Sequence, residues 1–406
     1  MTNRLLHTPE GVRDIYNAEC AKKRILQELL DQEIRSFGYH PIQTPSFEFF
    51  DIFSRQIGTT PSNELFKFFD RDGNTLVLRP DITPSVARAA AKYYPDENIP
   101  LRLCYLGNTF INHTSHQGRL KETTQIGAEM IGADDAAADA EIIALTIASF
   151  LKAGLTEFQI TIGHTGFFNA LCEAAGLDGE SEAQVRSLIA SKNYYAAQDI
   201  LQQTDCPQNV LDIFSDFSVL NGTGQMLGHT RAAVSGIPEA RRAIERLTDL
   251  YDLLKIYGYE RYVSFDLSFL SRYGYYTGII FEGYTYGSGE AIAKGGRYDE
   301  LLSHFGKQAP AVGTVLLVDT IMTAMSRQEI SLPVPEEAIM ILYRRPQTAQ
   351  AIRQAAALRE KGRTVSTLCM GETQTAADFA ASLKRFHYDQ LIDLTLSGGQ
   401  EQDCKR

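Results

Sequence analysis

The sequence predicts an α+β fold: an antiparallel sheet with helices, interrupted by a helical insertion and followed by a small α/β domain. Three observations support this prediction. Apolar and polar residues alternate over residues 101–105 and again over 125–130, as they do in β-strands. Residues 166–257 contain several short helical patterns and almost no strand pattern. Residues 338–394 have the pattern of strand, helix, strand, helix and strand.

The N-terminal region is expected to combine a long helix with a hairpin. Leucine and isoleucine recur at helical spacing over residues 17–37. Two short apolar runs flank Asp72-Gly73, a dipeptide that is common in hairpin turns. Thr83-Pro84 predicts the start of a further helix, with Thr83 as the N-cap and proline at the first helical position.

Strands and helices are expected to alternate through the rest of the core. A helix is predicted over residues 138–151, and strands over 158–162, 262–267, 279–284 and 290–293. Gly295-Gly296 predicts a bend after the last of these strands. The apolar run from about Val312 to Met325 predicts the final helix of the core.

These patterns divide the chain into a core over residues 1–325, with the helical insertion at about 166–257, and two further parts. A linker is expected over residues 326–337, where prolines and acidic residues occur together. A small α/β domain is expected over residues 338–406, and its polar tail from Ser397 is expected to fray.

The composition argues against several classes of protein. The formal net charge is −11, whereas proteins that bind nucleic acid through its phosphates usually present a basic face, so tRNA binding is not expected. No stretch approaches the ~18 apolar residues of a membrane span. The six cysteines are scattered without a CxxC pair, which favours reduced thiols in the cytoplasm over disulfides or a zinc site. Neither a metal site nor a cofactor motif is found.

Two groups of polar residues are candidates for a ligand site. Gln125, Gly127 and Glu129 share one face of a predicted strand, where a carboxylate and an amide beside a glycine could hold an ammonium group and a polar ring. A solvated sheet face would give the same pattern. Asp81 and Thr83 lie at a strand-to-helix turn, where the local sequence favours helix capping alone as the explanation of both residue types. The residues alone leave these alternatives open.

Several segments, taken in order, resemble the successive motifs of the histidyl-tRNA synthetase family, a class II synthetase family. They are LVLRPDITPSVAR, LRLCYLGNTFINHTSHQGRLKETTQIGAEMIG, SRYGYYTGIIFEG, AKGGRYDELL and PAVGTVLLVDTI. The resemblance covers about residues 8–325 and implies the class II antiparallel sheet. The C-terminal domain loosely resembles a shortened anticodon-binding domain of that family.

The resemblance implies a pocket for histidine or a similar small polar ligand. The positions that match the family's amino-acid site are Asp81, Thr83, Gln125, Glu129, Tyr275, Tyr276 and Tyr298. At position 81 the synthetases usually have glutamate, so the carboxylate here is one methylene shorter. Paired tyrosines such as Tyr275 and Tyr276 are also typical of cores and interfaces.

The same resemblance implies that the ATP site is lost. Ile111 occupies the position of the motif-two arginine, Thr320 that of the motif-three arginine, and Ser271 that of an arginine special to histidyl synthetases. One preorganised donor facing the developing charge is worth roughly 10²–10³ in rate, so the loss of all three would stop useful adenylation. No catalytic residue is therefore expected.

A synthetase-like chain with the amino-acid pocket but without the ATP-binding arginines resembles the regulatory subunits of ATP phosphoribosyltransferase. That resemblance implies a complex with the short-form catalytic subunit, which needs this chain for activity and for histidine feedback in the first step of histidine biosynthesis. It also implies a dimer of this chain through the motif-one region around Pro45. A divergent but active histidyl-tRNA synthetase, and a histidine-sensing module for another partner, remain as alternatives.

Overall fold

The computed structural model of the chain describes residues 4–53, 60–97, 99–113, 119–218, 220–270, 275–332, 338–386, 388–396 and 400–403. The chain divides into two compact units, one of residues 1–14 and 23–332 and one of residues 15–22 and 333–406. Part of the predicted linker, residues 333–337, lies outside the described residues.

The α-helices of the described chain are α1 Asn17–Ser36, α2 Thr83–Tyr93, α3 Ala136–Lys152, α4 Thr165–Ala174, α5 Gly179–Ala190, α6 Tyr194–Gln202, α7 Gln208–Ser215, α8 Met226–Ala233, α9 Pro238–Tyr257, α10 Val318–Arg327, α11 Thr348–Glu360 and α12 Ala380–Arg385. The series α4–α9 corresponds to the segment in which helical patterns were predicted. None of the described helices is both long enough and apolar enough to cross a bilayer.

The strands of the first unit are β1 His40–Pro41, β2 Phe47–Phe49, β3 Lys67–Phe69, β4 Thr75–Leu78, β5 Leu101–Phe110, β6 Glu122–Ile131, β7 Phe158–His164, β8 Asn221–Gly222, β9 Val263–Asp266, β10 Ile279–Thr285, β11 Ala293–Arg297 and β12 Ala311–Leu317. Strands β2, β4 and β3 form a small antiparallel sheet, which contains the predicted hairpin. The other strands form one nine-stranded sheet in the order β1-β5-β6-β12-β11-β10-β7-β9-β8.

The large sheet confirms the predicted α+β fold. Its central pairs, from β5 to β7, are all antiparallel, and only β1 and β9 join it in parallel. One face belongs to the main hydrophobic core, where Ile126, Ala128 and Met130 of β6 are buried in the same cluster as residues of α3. Because side chains alternate along a strand, Gln125 and Glu129 lie on the opposite face. That face carries the candidate site.

Two predictions near the end of the core are wrong. Residues 312–317, which we expected to open a helix, belong to β12 between β6 and β11. A short apolar run buried in the centre of a sheet has no periodicity that distinguishes it from a buried helix. Gly295 and Gly296 lie inside β11 and form no bend. A β-carbon at Gly296 would lie 2.6 Å from the Ile279 carbonyl oxygen, so close packing explains that glycine.

The second unit contains the predicted α/β pattern. Its strands are β13 Ala338–Tyr343, β14 Thr364–Cys369, β15 Tyr388–Asp393 and β16 Gln400–Asp403, in the order β14-β13-β15-β16. The first three are parallel, with α11 and α12 between them in sequence. The tail was expected to fray, but residues 400–403 pair antiparallel with β15, which supplies the backbone hydrogen bonds of that edge.

Candidate functional site

The candidate site is centred on Glu129, whose side chain is 1% exposed. Its Oε1 accepts hydrogen bonds from the Thr83 hydroxyl at 2.7 Å and from the Tyr105 hydroxyl at 3.1 Å. Its Oε2 accepts a hydrogen bond from the Tyr298 hydroxyl. The interpretation of this sheet face as solvated is therefore wrong at Glu129, where the carboxylate is buried and held by three hydroxyl groups.

A glycine on the neighbouring strand gives this carboxylate its space. Gly313 of β12 lies directly across from Glu129 in the sheet. A β-carbon at Gly313 would lie 1.7 Å from Glu129 Oε2, which no side chain could tolerate without moving the carboxylate. The glycine of the PAVGTV segment therefore serves the site, a role that we did not assign from the sequence.

Burial raises the pKa of Glu129 to about 7, while hydrogen bonds from Tyr298 and Thr83 oppose that rise and the nearby charge of Asp81 adds to it. Burial also raises the pKa of Tyr105 and of Tyr298 well above the usual range, so both remain neutral donors near pH 7. The site thus combines a carboxylate that changes charge near neutral pH with hydroxyls that do not.

At the turn before α2, Asp81 caps the helix and Thr83 contributes to the site. The prediction of Thr83 as the N-cap is wrong: Thr83 is in the first helical turn, Ile82 is the N-cap residue, and the Thr83 hydroxyl donates to Glu129 instead. Asp81 performs the capping role, since its Oδ1 accepts from the backbone N–H groups of Ile82 at 2.7 Å and Thr83 at 3.2 Å. Asp81 is near enough to Glu129 for its charge to raise the Glu129 pKa. Its Oδ1, however, already accepts two hydrogen bonds from the backbone.

The tyrosines of the site form an aromatic wall. Tyr298 is 2% exposed, and its ring lies edge to face with that of Tyr275, with centroids 5.9 Å apart. The rings of Tyr275 and Tyr276 lie 4.5 Å apart. All three rings therefore belong to one cluster.

Tyr105 belongs to the site, although the sequence did not suggest it. A β-carbon at Gly127 would lie 2.4 Å from the Tyr105 hydroxyl oxygen, so the space above Gly127 is occupied by Tyr105 rather than left for a ligand. Tyr105 alternates with Leu101 and Leu103, and this pattern indicated only an apolar strand face. Its pairing with Gly127 could have identified it, but that register is not visible in one sequence.

Gln125 lies on the site face but not beside Glu129. Four residues separate them along β6, a Cα separation of about 13 Å at ~3.3 Å per residue. The Gln125 Oε1 atom is buried and accepts no hydrogen bond from the described residues. The site is therefore elongated, with Glu129 at one end and an unsatisfied amide at the other.

The positions of the missing ATP arginines carry no guanidinium. Ile111 and Thr320 are both partly buried, and Ser271 lies outside the described residues. The cations that remain on the nearby loop are engaged elsewhere: Arg119 pairs with Glu290 at 3.0 Å, and Lys121 donates to Asn112 at 3.1 Å. The described part of the chain also contains no cluster of His, Cys, Asp and Glu that could hold a metal ion.

The chain resembles proteins of one kind over most of its length. A family model described as histidyl-tRNA synthetase matches residues 11–321. A protein of Acetivibrio thermocellus named ATP phosphoribosyltransferase regulatory subunit is 37% identical over 93% of this chain and 90% of the relative. A protein of the same name from Caldanaerobacter subterraneus subsp. tengcongensis is 33% identical over 96% of this chain and the whole of the relative.

A solved structure of a protein of the same kind is also similar to this chain over most of its length. The crystal structure of an ATP phosphoribosyltransferase regulatory subunit/histidyl-tRNA synthetase from Bacillus halodurans is similar to this chain with a TM-score of 0.84 and 31% sequence identity. The match covers 96% of this chain and 98% of the solved one. The similarity therefore extends beyond the synthetase-like core to the C-terminal unit.

Proposed function

We propose that this chain, which belongs to the family of ATP phosphoribosyltransferase regulatory subunits, binds the short-form catalytic subunit in the cytoplasm and sets its activity in response to histidine. The regulatory role and the need for a catalytic partner follow from membership of this family. The form of the partner, the ligand and the lack of synthetase activity are inferred from the residues of the site.

The absence of synthetase activity follows from the ATP side of the site. Adenylate formation places negative charge on the α-phosphate, and Ile111 and Thr320 offer that charge no donor side chain like arginine. Arg119 and Lys121 do not replace the missing groups, because each already contacts another side chain. The protein is therefore inferred to act without a catalytic step of its own.

The buried carboxylate supports histidine as the ligand. In the described chain the hydrogen-bond partners of Glu129 are hydroxyls, so the ionised form of this buried group lacks a cation. A ligand with an N–H donor or a positive charge would offset that cost. Histidine offers both, and the rings of Tyr275, Tyr276 and Tyr298 would exclude water around it.

A small sheet near Pro45 supports self-association. Phe47, Phe49 and Phe68 lie on one face of this sheet and are 52%, 56% and 37% exposed, whereas Glu48 between the first two is buried and paired with Arg88 at 2.7 Å. Strands in soluble proteins usually place apolar residues inward, and an exposed apolar sheet face indicates an interaction surface. We assign it to a dimer of this chain, as the core of a larger hetero-oligomer.

Size-exclusion chromatography tests the partnership. The chain mixed at micromolar concentration with a short-form catalytic subunit should elute as one species larger than either component. Separate elution of the two proteins would count against the proposal.

A calorimetric titration with histidine, for the wild type and for Glu129→Ala, tests whether histidine is the ligand. We expect heat of binding for the wild type alone. No heat from either protein up to millimolar histidine would mean that the pocket is a relic of the fold.

A further inference from the structure

The second unit has an open edge at β14. This strand pairs in parallel with β13 on one side and is the terminal strand of its sheet on the other. It is six residues long, and its sequence TVSTLC contains neither a charged residue nor proline. Thr364, Thr367 and Cys369 are exposed. An exposed strand edge of this length without charge is a template for pairing with another strand.

The edge strands described in the first unit are protected against such pairing. Those of the large sheet, β1 and β8, are two residues long, and β1 contains Pro41. Those of the small sheet, β2 and β3, are three residues long and contain Glu48 and Lys67. Short strands, proline and charge are devices by which soluble proteins prevent pairing at an edge. Strand β14 has none of them, which indicates that its edge is used.

The outward backbone groups of β14 belong to Val365, Thr367 and Cys369. The Met370 N–H donates to the carbonyl of the last residue of β13 at 2.7 Å, and successive residues of a strand direct their backbone groups to opposite sides. Odd-numbered residues of β14 therefore point their N–H and C=O away from β13. Among the described residues, one of these groups has a partner: the Val365 carbonyl accepts from Arg359 Nη2 at 2.7 Å. Because a carbonyl oxygen has two lone pairs, it can accept a second bond.

These outward groups are complementary to a second copy of themselves. If two copies of β14 meet antiparallel about Thr367, each Thr367 exchanges both backbone hydrogen bonds with Thr367 of the second copy. Val365 of each copy then exchanges both bonds with Cys369 of the other. A contact of this kind joins identical surfaces about a two-fold axis, which is the commonest symmetry of homo-oligomers.

The charges beyond the two ends of the strand favour the same arrangement. Lys361 and Arg363 precede β14, and Glu372 follows it. In the register centred on Thr367, Glu372 of one copy lies opposite Gly362 of the other, between the two cations. Lys361 and Glu372 are exposed, so opposite charges attract at both ends of the paired strands. A parallel pairing in register would instead place like charges together.

We propose that β14 pairs antiparallel with β14 of a second copy of this chain and joins two copies of the second unit through one continuous sheet. This interface is separate from the exposed apolar face of the small sheet. It requires neither histidine nor the catalytic subunit. A chain with two such symmetric interfaces assembles beyond the dimer.

Disulfide trapping tests the pairing and its register. The two Thr367 Cα atoms would be about 5.5 Å apart, within the ~4.4–6.8 Å of a disulfide. Thr367→Cys, combined with Cys369→Ser to remove the neighbouring thiol, should therefore form a disulfide-linked dimer under mild oxidation. Thr364→Cys in the same background is the matched control. Thr364 is also exposed, but its two Cα atoms would lie about 20 Å apart at ~3.4 Å per residue, so this variant should not cross-link.

Thr367→Lys provides a second test that needs no oxidation. Because Thr367 is exposed, the substitution leaves the core intact, but it places two like charges directly opposite each other across the axis. Light scattering after size exclusion should give half the mass of the wild type. Gln202→Lys, which adds the same charge at an exposed position of α6, should leave the mass unchanged.

The pairing predicts a cross-link in Thr367→Cys but not in Thr364→Cys, together with a halved mass for Thr367→Lys. No cross-link in Thr367→Cys, an equal yield in Thr364→Cys, or an unchanged mass for Thr367→Lys would overturn it. In a mixture with the catalytic subunit, a disulfide from Thr367→Cys to that protein in place of the dimer would also overturn self-pairing and assign the edge to the partner.

Discussion

Replacing Glu129 by glutamine should change how the stability of the chain depends on pH. The carboxyl group has a pKa of about 7 in the folded chain and an ordinary value of 4.5, because burial disfavours its charge. Between those values the folded state holds a proton that the unfolded state has lost. The contribution of this group to stability is therefore complete below pH 4.5 and is lost as the pH rises through 7. Glutamine does not titrate, so the stability of the variant does not fall in this way as the pH rises.

The size of the effect follows from the two pKa values. At about 1.36 kcal/mol for each pH unit, the wild type loses about 3 kcal/mol relative to Glu129→Gln across the window. Most of it, ~2–3 kcal/mol, falls between pH 5 and pH 8. Denaturant unfolding of both proteins at these two pH values measures it. Glu173→Gln, at an exposed position of α4, is the matched control. A difference in unfolding free energy between wild type and Glu129→Gln that stays the same at both pH values would show that burial does not raise the pKa of Glu129.

Two further predictions concern the chemistry and the surface of the protein. Histidine-dependent exchange between ATP and pyrophosphate should remain at background, because Ile111 and Thr320 supply no guanidinium; clear exchange at ordinary enzyme concentration would favour a divergent active synthetase. Phe49→Asp should halve the mass measured by light scattering after size exclusion, because it places a charge on the exposed apolar face of the small sheet. Tyr195→Asp, at an 85% exposed position of α6, should leave the mass unchanged, and an unchanged mass in Phe49→Asp would remove the sheet from the dimer interface.

The sequence allowed the elements with a clear local pattern to be predicted. The alternation along β6 assigned Glu129 and Ile126 to opposite faces, because the side-chain period of a strand does not depend on which strands lie beside it. The βαβαβ order of the second unit was likewise visible in its local patterns. By contrast, β12 was mistaken for a helix, since its burial between β6 and β11 removes the polar alternation that identifies a strand.

The parts of the site that were missed depend on pairing between distant residues. Tyr105 reaches Glu129 across Gly127, and Glu129 has room because Gly313 lies beside it on β12. Neither register can be read from one sequence. Thr83 shows the same limit: locally it has the properties of an N-cap, and only the position of Glu129, 46 residues later, explains where its hydroxyl donates.

The rate of ATP phosphoribosyltransferase is the measurement that decides whether this chain is a regulatory subunit. The short-form catalytic subunit should be assayed alone, with this chain, and with this chain plus histidine. The regulatory role predicts that the chain raises the rate, that histidine lowers it again, and that Glu129→Ala weakens this inhibition. A rate that does not change when the chain is added, although both proteins are folded, would show that the chain does not regulate the catalytic subunit.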